Sequence, residues 1–432
     1  MTSTRRQVLA ATGAVAVAGA ASAGAAGAAT SPVVGDPAWL QQVLERYAGF
    51  GIKASGGAGD EACGAWLAGE LTRVGYACEQ HHFEVPFFEP TAATLTSGDA
   101  RADVIPQAVV RPTGPKGVTA PLRLAERPGD LTGAIALVSL PSKRWIALGE
   151  RDAVPLLADA FGRGAVAAVA ITNGPSGEAI ALNVAPEKPG FDRPVVLLAP
   201  KDAPPFLAAA AGGGTATLTV DGRGGRRRAH NMIAKLDRRA EKTLILSTPR
   251  SGWFTCAAER GSGLAAWFGA AHWLAAQPHR LNLEVVATSG HEYDYLGGER
   301  YVAERAPPPG KTKLWAYIGA SFAARDWQEA GGELRPLATV DPQRSVTATA
   351  DIIEPVRRAF NGLSGLEAVR LATGNTAGGE LKAVIEAGYP SAMGESGLHR
   401  YFHTRNDDMR CVSGDLVHPA AEAFKAAIAA SI

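Results

Sequence analysis

Between positions 36 and 71, apolar residues recur at the spacing of an amphipathic helix. The first set is Trp39, Leu40, Val43, Leu44 and Tyr47, and the second is Cys63, Trp66, Leu67 and Leu71. The glycine-rich residues 55–59 separate the two sets. The pattern therefore predicts two helices joined by a turn, each with one face packed against a core.

The middle of the chain has a different pattern. Residues 75–85 alternate between apolar and polar side chains after a glycine, which predicts a strand. From residue 86 onward, proline and glycine become frequent and the apolar runs are short. These runs lie at 134–138, 166–171 and 194–198, with a helix predicted around 154–161. We therefore predict an inserted β-rich domain at 86–228, after an N-terminal helical part at 31–85.

From residue 229 to 432, predicted strands alternate with predicted helices. The strands are at 231–236, 243–247, 283–288 and 314–318, and the helices are at 261–276 and 296–305. This alternation predicts an α/β fold, with a mostly parallel sheet flanked by helices on both faces. Ligands of such sheets bind beyond the carboxyl ends of the strands. Residues 229–432 should thus form the main part of the domain that carries the site.

The first thirty residues differ from the rest of the chain. The pair Arg5 and Arg6 precedes an Ala/Val/Gly run that contains no Asp or Glu and ends in small residues near positions 23 and 28. These features are typical of a twin-arginine export signal, with an uncleaved anchor as the alternative. We expect a periplasmic or secreted protein. After cleavage we expect no stable membrane span, because no later apolar run reaches about 20 residues.

Composition and charge fit an ordinary globular protein. Hydrophobic residues make up 46% of the chain, charged residues 20%, and the net charge is +1. The densest basic run, at 223–228, is short and contains glycine, so we predict a solvated loop there and no nucleic-acid partner. Four scattered cysteines predict buried thiols, and a bridge between Cys63 and Cys78 stays open. The sequence does not specify an oligomeric state.

Polar clusters follow the predicted strands or precede a predicted helix. Their histidines and carboxylates are His291 and Glu292 after the strand at 283–288, Glu259 before the helix at 261–276, and His403 near the C-terminus. Because carboxyl ends of parallel strands meet at one edge of a sheet, we expect these side chains to lie together. Histidine and carboxylate support either metal binding or proton transfer.

The order of these clusters resembles that of the co-catalytic zinc aminopeptidases, which include bacterial leucyl aminopeptidases and glutaminyl cyclases. Their motifs are H-x-D at a strand end, G-A-x-D-N-x-S-G at a helix start, E-E-x-G-x-x-G-S after the next strand, then N-x-D and a late H-T-x-x-D. The resemblance covers nearly all of the chain after the signal. Residues 86–228 look similar to the protease-associated domain that many members insert at this point.

The resemblance implies roles for single positions. The stretch Cys256-Ala257-Ala258-Glu259-Arg260-Gly261-Ser262-Gly263 is similar to the helix-start motif, with Glu259 in place of the bridging aspartate. Glu292 matches the ligand of the double-glutamate motif, and His291 stands where the general base normally lies. His403 matches the final histidine ligand.

Two motif positions do not match. The first histidine falls near Pro249, with Ser251 in place of the neighbouring aspartate, and the later aspartate falls near Gly319. The resemblance therefore implies that one metal site is lost and that the other is kept. Glu259, Glu292 and His403 would hold a single divalent ion, most simply zinc, with an open coordination position for water.

Several alternatives stay open for the surrounding residues. His291 is predicted to be a catalytic base or acid, or else a fourth metal ligand. Arg250, Ser251 and Glu380 are predicted to contact substrate, Glu380 because it aligns with a family S-D-H element. Arg250 and Arg260 would bind a substrate carboxylate, or they would pair with the carboxylates of the site if no metal is present.

The sequence thus predicts an exported, metal-dependent hydrolase of a small peptide or another amide, with one metal rather than two. The alternatives are a non-catalytic or binding protein on a degenerate peptidase fold, and a one-metal enzyme with different chemistry. Convergence of the carboxylates and histidines within a few ångströms would support a metal, whereas pairing of the carboxylates with Arg250 or Arg260 would argue against it.

Overall fold

A computed structural model describes residues 32–107, 109–145, 153–187, 190–278 and 280–432. The predicted export signal at 1–30 lies outside the described residues. Residues 33–432 form one compact unit. None of the helices within the described ranges is both long enough and apolar enough to cross a membrane.

The helices and strands are numbered in chain order. The helices are α1 (Pro37–Gly49), α2 (Ala58–Arg73), α3 (Val154–Gly162), α4 (Pro204–Ala211), α5 (Gly261–Ala276), α6 (Leu296–Glu304), α7 (Ile353–Ala359), α8 (Leu381–Glu386) and α9 (Gly414–Ser431). The strands are β1 (Ala77–Ser97), β2 (Ala100–Asp103), β3 (Ile105–Pro106), β4 (Val118–Leu124), β5 (Ile135–Ser139), β6 (Ala167–Ile171), β7 (Val195–Leu198), β8 (Thr215–Leu236), β9 (Thr243–Pro249), β10 (Asn282–Thr288), β11 (Thr312–Ile318), β12 (Arg325–Ala330), β13 (Glu333–Val340), β14 (Arg344–Ala348), β15 (Arg370–Leu371) and β16 (Ala392–Gly397).

The central sheet runs in the order β15-β14-β16-β11-β9-β10-β8. Strands β16, β11, β9 and β10 are parallel to one another. The strands on either side of them are antiparallel: β8 pairs with β10, and β14 pairs with β16. Strands β9 and β10 are buried along almost their whole length, as their continuous apolar runs predict. The mostly parallel sheet flanked by helices, predicted from the sequence, is confirmed.

Helix α5 lies at the centre of the molecule. Most of its residues are buried, because β9 and β11 pack on one side and α1 and α9 on the other. It begins at Gly261, and its first turn comes very close to the end of β11. A Cβ atom at Gly263 would lie 2.6 Å from the carbonyl oxygen of Gly319, so only glycine fits there. This close approach fixes the start of α5 against the edge of the sheet where the site was predicted.

Strands β1 and β8 form a long antiparallel ribbon that leads from the main sheet into the region 86–228. Glu84 pairs with Arg228 and Pro86 with Arg226, so the predicted boundaries at 86 and 228 face each other across the ribbon. The solvated loop predicted at 223–228 is wrong: these residues lie within β8, although most of them are exposed. Alternation was hidden there because four of the six residues are arginine and the other two are glycine.

The region 86–228, predicted to be an insertion, has its own parallel strands. They run in the order β4-β5-β6-β7, and β4 joins the far end of β8. Helix α3 packs against β5 and β6, and α4 packs against β4. Two clusters of buried apolar side chains fill this region, separate from the core around α5. Whether it is a protease-associated domain stays a prediction.

The four cysteines are free thiols. Cys63, Cys256 and Cys411 are buried, and Cys78 is partly buried. The Sγ atom of Cys78 contacts the carbonyl oxygen of Ala68 rather than another sulfur. The predicted buried thiols are therefore found at three of the four positions, and the structure has no Cys63 to Cys78 bridge.

Candidate active site

A cavity of about 410 Å³ opens beyond the carboxyl ends of the central strands. The described residues that line it are Trp145, Asn183, His291, Tyr295, Tyr317, Ala320, Pro342, Gln343, Arg344, Ser345, Arg370, Gly378, Gly379, Ser396, Gly397, Leu398, Phe402 and His403. Two of the residues singled out from the sequence, His291 and His403, lie on its wall. The cavity has the size of a site for a small molecule or a short peptide.

His291 is paired with Glu380 on one side of the cavity. The distance between His291 Nδ1 and Glu380 Oε1 is 3.1 Å, and the Thr288 hydroxyl donates to both oxygens of Glu380. The ring of Tyr295 packs edge-on against the His291 ring. The other ring nitrogen, Nε2, has no hydrogen-bond partner among the described residues and is therefore available to a molecule in the cavity.

Burial changes the proton affinity of both partners. It raises the pKa of Glu380 to about 8, although the Thr288 hydrogen bond and the charge of Arg260 oppose this. Burial, together with the charge of Arg260, lowers the pKa of His291 well below its usual range. At neutral pH the pair therefore has no net charge, and it titrates as one coupled unit.

Glu259 lies next to the cavity-lining His403 and contacts one arginine and one histidine side chain. Its Oε1 atom is 2.7 Å from Nη2 of Arg260 and 3.1 Å from Nε2 of His403, and all three side chains are almost completely buried. Burial alone would raise the pKa of Glu259, but Arg260 and His403 more than offset it and lower the pKa to about 2. Glu259 is thus a carboxylate, and Arg260 neutralises its charge.

Glu292 is held by a different set of partners. Its Oε2 accepts a hydrogen bond of 2.9 Å from the Ser251 hydroxyl, and its Oε1 accepts one of 2.7 Å from the backbone N–H of Ser55. The Ser55 hydroxyl in turn donates to Ser251 and accepts from the N–H of Gly290. Burial raises the pKa of Glu292 against these hydrogen bonds. Ser251 therefore orients Glu292 and does not face the cavity.

Arg250 has only contacts within the protein. It is completely buried, with its Nε atom 2.9 Å from the Asp60 carboxylate. Its two terminal nitrogens donate to the backbone carbonyls of Ala287 and His230. The predicted contact of Arg250 with substrate is not supported by this placement, because every nitrogen of its guanidinium group already has a partner.

The inserted region supplies one wall of the site. Ala181 forms two hydrogen bonds with His403: its N–H donates to the His403 carbonyl, and its own carbonyl accepts from Nδ1 of the ring. The N–H of Val184 donates to the carbonyl of Glu292. His403 has a backbone φ of 57°, which is unfavourable for a residue other than glycine. The loop at 180–184 helps to hold it in this conformation.

The position of the missing aspartate has no space for a side chain. A Cβ atom at Gly319 would lie 2.4 Å from the carbonyl oxygen of Glu395 and 2.9 Å from the ring of Tyr317. An aspartate at this position would require a shift of the backbone. Glycine is therefore the residue that this packing accepts, and the loss of the first metal site stays a prediction.

The three predicted ligands of the second metal site, Glu259, Glu292 and His403, do not all face one another. Glu259 and His403 are adjacent, but Glu292 is turned toward Ser251 and Ser55. Among the described residues, the predicted trio is not one of the groups whose ligand atoms all lie within 4.8 Å of one another. Arg260 also contacts the same Glu259 oxygen that faces His403. As arranged, the residues do not fit a bound divalent ion, because a buried guanidinium already supplies the positive charge.

Another group of possible ligand atoms lies nearby. His399, Asp407 and Cys411 have ligand atoms within 4.8 Å of one another, and all three are buried. Both oxygens of Asp407, however, accept hydrogen bonds from the backbone N–H groups of Ala258 and Glu259. Asp407 thereby fixes the loop before α5, and the cluster offers only three ligands.

Sequence reasoning missed several residues of the site. Ser55 comes from the turn between α1 and α2 and Asp60 from the first turn of α2, and both reach the loop after β10. Arg344 and Arg370 line the cavity from the short strands β14 and β15. Asp60 lies on the same face of the predicted helix as the apolar residues Cys63 and Leu67. A charged residue on a buried helix face is the only sequence signal that would have pointed to Asp60.

The sheet, its insertion point and the cavity define an α/β protein with the zinc-aminopeptidase fold. Solved structures agree: BSAP, a zinc aminopeptidase from Bacillus subtilis, is 17% identical, with 91% of this chain and 94% of that chain covered and a TM-score of 0.69. An aminopeptidase from Aneurinibacillus is 16% identical over 92% and 94%, with a TM-score of 0.63. A peptidase precursor from Shewanella amazonensis is 17% identical over 91% and 92%, with a TM-score of 0.67.

The coverages and TM-scores establish the fold that the motif order predicted. No family model matches the chain, and no curated protein is similar to it in sequence. These neighbours are a zinc aminopeptidase, an aminopeptidase and a peptidase precursor. The chain thus shares their fold.

Proposed function

We propose that this protein hydrolyses a peptide or another amide bond in the 410 Å³ cavity, with His291 as the group that moves the proton. The observation that carries this proposal is the pair of His291 Nδ1 and Glu380 Oε1, 3.1 Å apart on the cavity wall. Titratable groups with strongly shifted pKa values in a cavity are typical of catalytic sites.

The protonation state of the pair decides what His291 does. While Glu380 keeps its proton, one proton lies between Nδ1 and Oε1, and the other is on Nε2, which then donates a hydrogen bond. When Glu380 ionises, Nδ1 donates to its carboxylate and Nε2 has a free lone pair. In that form Nε2 takes a proton from a water molecule, whose oxygen attacks the carbonyl carbon. The same proton then goes to the leaving nitrogen as the C–N bond breaks.

Arg260 provides a fixed positive charge beneath the cavity. It is fully buried, and its charge acts on the pKa of both His291 and Glu380. The positive charge of Arg260 also favours the negative charge that develops on the carbonyl oxygen of the substrate during attack. We infer that the guanidinium takes over part of the electrostatic role that a metal has in the zinc enzymes. No step of the proposed reaction passes through a metal.

A one-metal hydrolase is the second candidate, and one observation favours it. The Nδ1 atom of His403 donates to the Ala181 carbonyl, and its Nε2 faces Glu259 Oε1 at 3.1 Å. A metal-bound histidine has the same arrangement, with one nitrogen held by a carbonyl and the other facing the ion. In this candidate Arg260 leaves Glu259 when the ion binds, and Glu292 leaves Ser251. Export through the twin-arginine pathway is part of both proposals.

The test uses the purified full chain, with its metal content measured by elemental analysis. Aminoacyl and N-acyl amides are screened for hydrolysis with and without a chelator. We expect less than one metal ion per chain, turnover that survives the chelator, and a loss of about 10²-fold or more in His291→Ala. His82→Ala is the matched control, because His82 is an exposed histidine on β1.

Each other result has a defined meaning. One zinc per chain that is lost in His403→Ala, together with inhibition by the chelator, would establish the one-metal candidate instead. Equal activities of the His291→Ala and His82→Ala proteins would refute the role of His291. An absence of turnover on all amides would favour a non-catalytic protein.

A further inference from the structure

The charged residues on the cavity wall are all basic. Of the described residues that line the cavity, Arg344 and Arg370 carry a permanent positive charge, and none is Asp or Glu. The carboxylates nearest to the cavity are already engaged: Glu259 contacts Arg260, and Glu380 contacts His291. The described wall therefore presents no free carboxylate to the cavity.

Arg344 is held in place from behind. Its Nε donates to the Ser364 carbonyl at 3.0 Å, and its Nη1 donates to the Phe322 carbonyl at 2.5 Å. Its second terminal nitrogen, Nη2, has no partner within the described part of the chain. An arginine with a fixed side chain and a remaining donor loses little conformational entropy when it binds an anion. The geometry is that of a prepared anion contact.

Buried Glu395 does not cancel the charge of Arg344. Both of its carboxyl oxygens lack hydrogen-bond partners among the described residues. Burial raises the pKa of Glu395 well above its usual range, although Arg344 opposes this. Burial therefore disfavours a negative charge on Glu395, and neither of its oxygens forms a hydrogen bond with Arg344.

Arg370 adds a second, exposed guanidinium. It lies on β15, where it pairs in register with Thr347 of β14, the same strand that carries Arg344. Arg370 forms no ion pair with any described residue. Both arginines line the same cavity, and a guanidinium group can donate hydrogen bonds to both oxygens of a carboxylate.

We propose that the cavity recognises ligands by a free carboxylate, which Arg344 and Arg370 bind, and not by a free amino group. This inference rests on the proposed function for the position of the scissile bond, which would lie between the arginines and His291. The substrate class is then N-acylated amino acids, or peptides cleaved at their C-terminal residue. An α-ammonium group would find two arginines on the same wall and no free carboxylate on its described part.

The test compares three ligands that share one aromatic side chain and differ in charge. N-acetyl-L-phenylalanine has the carboxylate and no amine, L-phenylalaninamide has the amine and no carboxylate, and N-acetyl-L-phenylalaninamide has neither. Ligand-observed NMR measures binding, and the same spectra show any acetate or ammonia released. We expect the carboxylate ligand to bind at least about tenfold more tightly than the other two.

The arginines are then changed one at a time. Arg370→Gln should weaken binding of N-acetyl-L-phenylalanine by about tenfold and leave L-phenylalaninamide unaffected. Arg335→Gln is the matched control, because Arg335 is an exposed arginine on β13 and does not line the cavity. Arg344→Gln should have at least as large an effect. Since Arg344 is buried, Arg370→Gln keeps the test valid if the Arg344 variant does not fold.

The outcomes separate this inference from the proposed function. Equal or tighter binding of L-phenylalaninamide, or unchanged binding in Arg370→Gln, would overturn the carboxylate assignment even if an amide is hydrolysed. Selective binding of N-acetyl-L-phenylalanine that Arg370→Gln weakens would support the assignment even if no acetate appears. The absence of acetate would contradict only the proposed hydrolysis and not the carboxylate assignment.

Discussion

Two buried pairs of ionisable side chains lie next to the same cavity and behave in opposite ways. Glu259 and Arg260 are oppositely charged, and both are almost completely buried. His291 and Glu380 are a neutral pair at neutral pH, and His291 lines the cavity. The first pair holds a fixed charge distribution, whereas the second can gain or lose a proton. One fold thus contains a structural pair and a reactive pair side by side.

The difference arises from the partners of each carboxylate. Glu259 has a guanidinium within 2.7 Å, so burial cannot keep it protonated. Glu380 has only the Thr288 hydroxyl and a histidine ring, so burial raises its pKa. A buried carboxylate becomes a stable anion only where a permanent cation faces it. The comparison predicts a stability effect on one side and a proton-transfer effect on the other.

The largest effect should come from removing Arg260. Arg260→Ala leaves Glu259 buried without its permanent cation, and we expect a loss of about 3–5 kcal/mol in the free energy of unfolding, measured with urea. The double variant Glu259→Gln with Arg260→Met removes both charges and should be much less destabilised. If Arg260→Ala is as stable as the unchanged protein, the two pairs do not differ as described.

Acid should weaken the Glu259 side next. The pKa of Glu259 is lowered from 4.5 to about 2 by Arg260 and His403, against the effect of burial. A lowered pKa stabilises the folded state above pH 4.5, and this contribution is lost as the pH falls from 4.5 to about 2. Urea unfolding across this range should show a smaller pH dependence in Glu259→Gln. An unchanged slope in that variant would place the acid sensitivity elsewhere.

The His291 side should respond to base. The pKa of Glu380 is about 8, so the form in which His291 can accept a proton increases as the pH rises through 8. We expect kcat/KM to increase about tenfold between pH 7 and pH 9 and then to level off. Glu380→Gln keeps an acceptor for Nδ1 but cannot ionise, so the increase near pH 8 should disappear. A profile that Glu380→Gln does not change would assign the titration to another group.

Stability should follow the opposite sign at Glu380. Its pKa is raised above the usual value of 4.5, so the folded state loses stability as the pH rises from 4.5 through about 8. The Glu380→Gln protein should therefore gain stability relative to the unchanged protein at pH 9 compared with pH 5. Urea unfolding at these two pH values measures the difference. A constant difference between the two proteins would contradict the raised pKa.

The smallest effect concerns the wall that the inserted region provides. Asn183 accepts a hydrogen bond of 3.0 Å from the indole N–H of Trp253. Asn183→Ala should cost about 1 kcal/mol and should alter KM more than kcat, because Asn183 lines the cavity without contacting either pair. Asn375→Ala is the control at an exposed asparagine. A change confined to kcat would place Asn183 closer to the reaction than this.

The regular elements were predictable because their patterns are local. The predicted helix at 261–276 coincides with α5, and the strands at 283–288 and 314–318 lie within β10 and β11. Continuous apolar runs of this kind are specified by burial on both faces of the sheet. Two of the residues that the motif order assigned to one site, His291 and His403, line the same cavity, whereas the contact between His291 and Glu380 was not predicted.

The partners of the charged residues were harder to predict. Ser55 contacts a residue 237 positions away and Asp60 one 190 positions away, and no local pattern encodes such a pairing. The sequence left two arrangements open for Arg260, a substrate contact or a pair with a carboxylate. Only the packing around the start of α5 decides between them, because it buries the side chains of Arg260 and Glu259 in contact with each other.

The loop at 180–184 contributes to the site without being part of the central sheet. It belongs to the inserted region, yet it holds His403 and forms part of the cavity wall through Asn183. Substitutions in this loop can change which molecules enter, while the sheet and both buried pairs stay intact. Related proteins could therefore diverge in specificity through the insertion alone, and the site would retain its charges while its selectivity evolves.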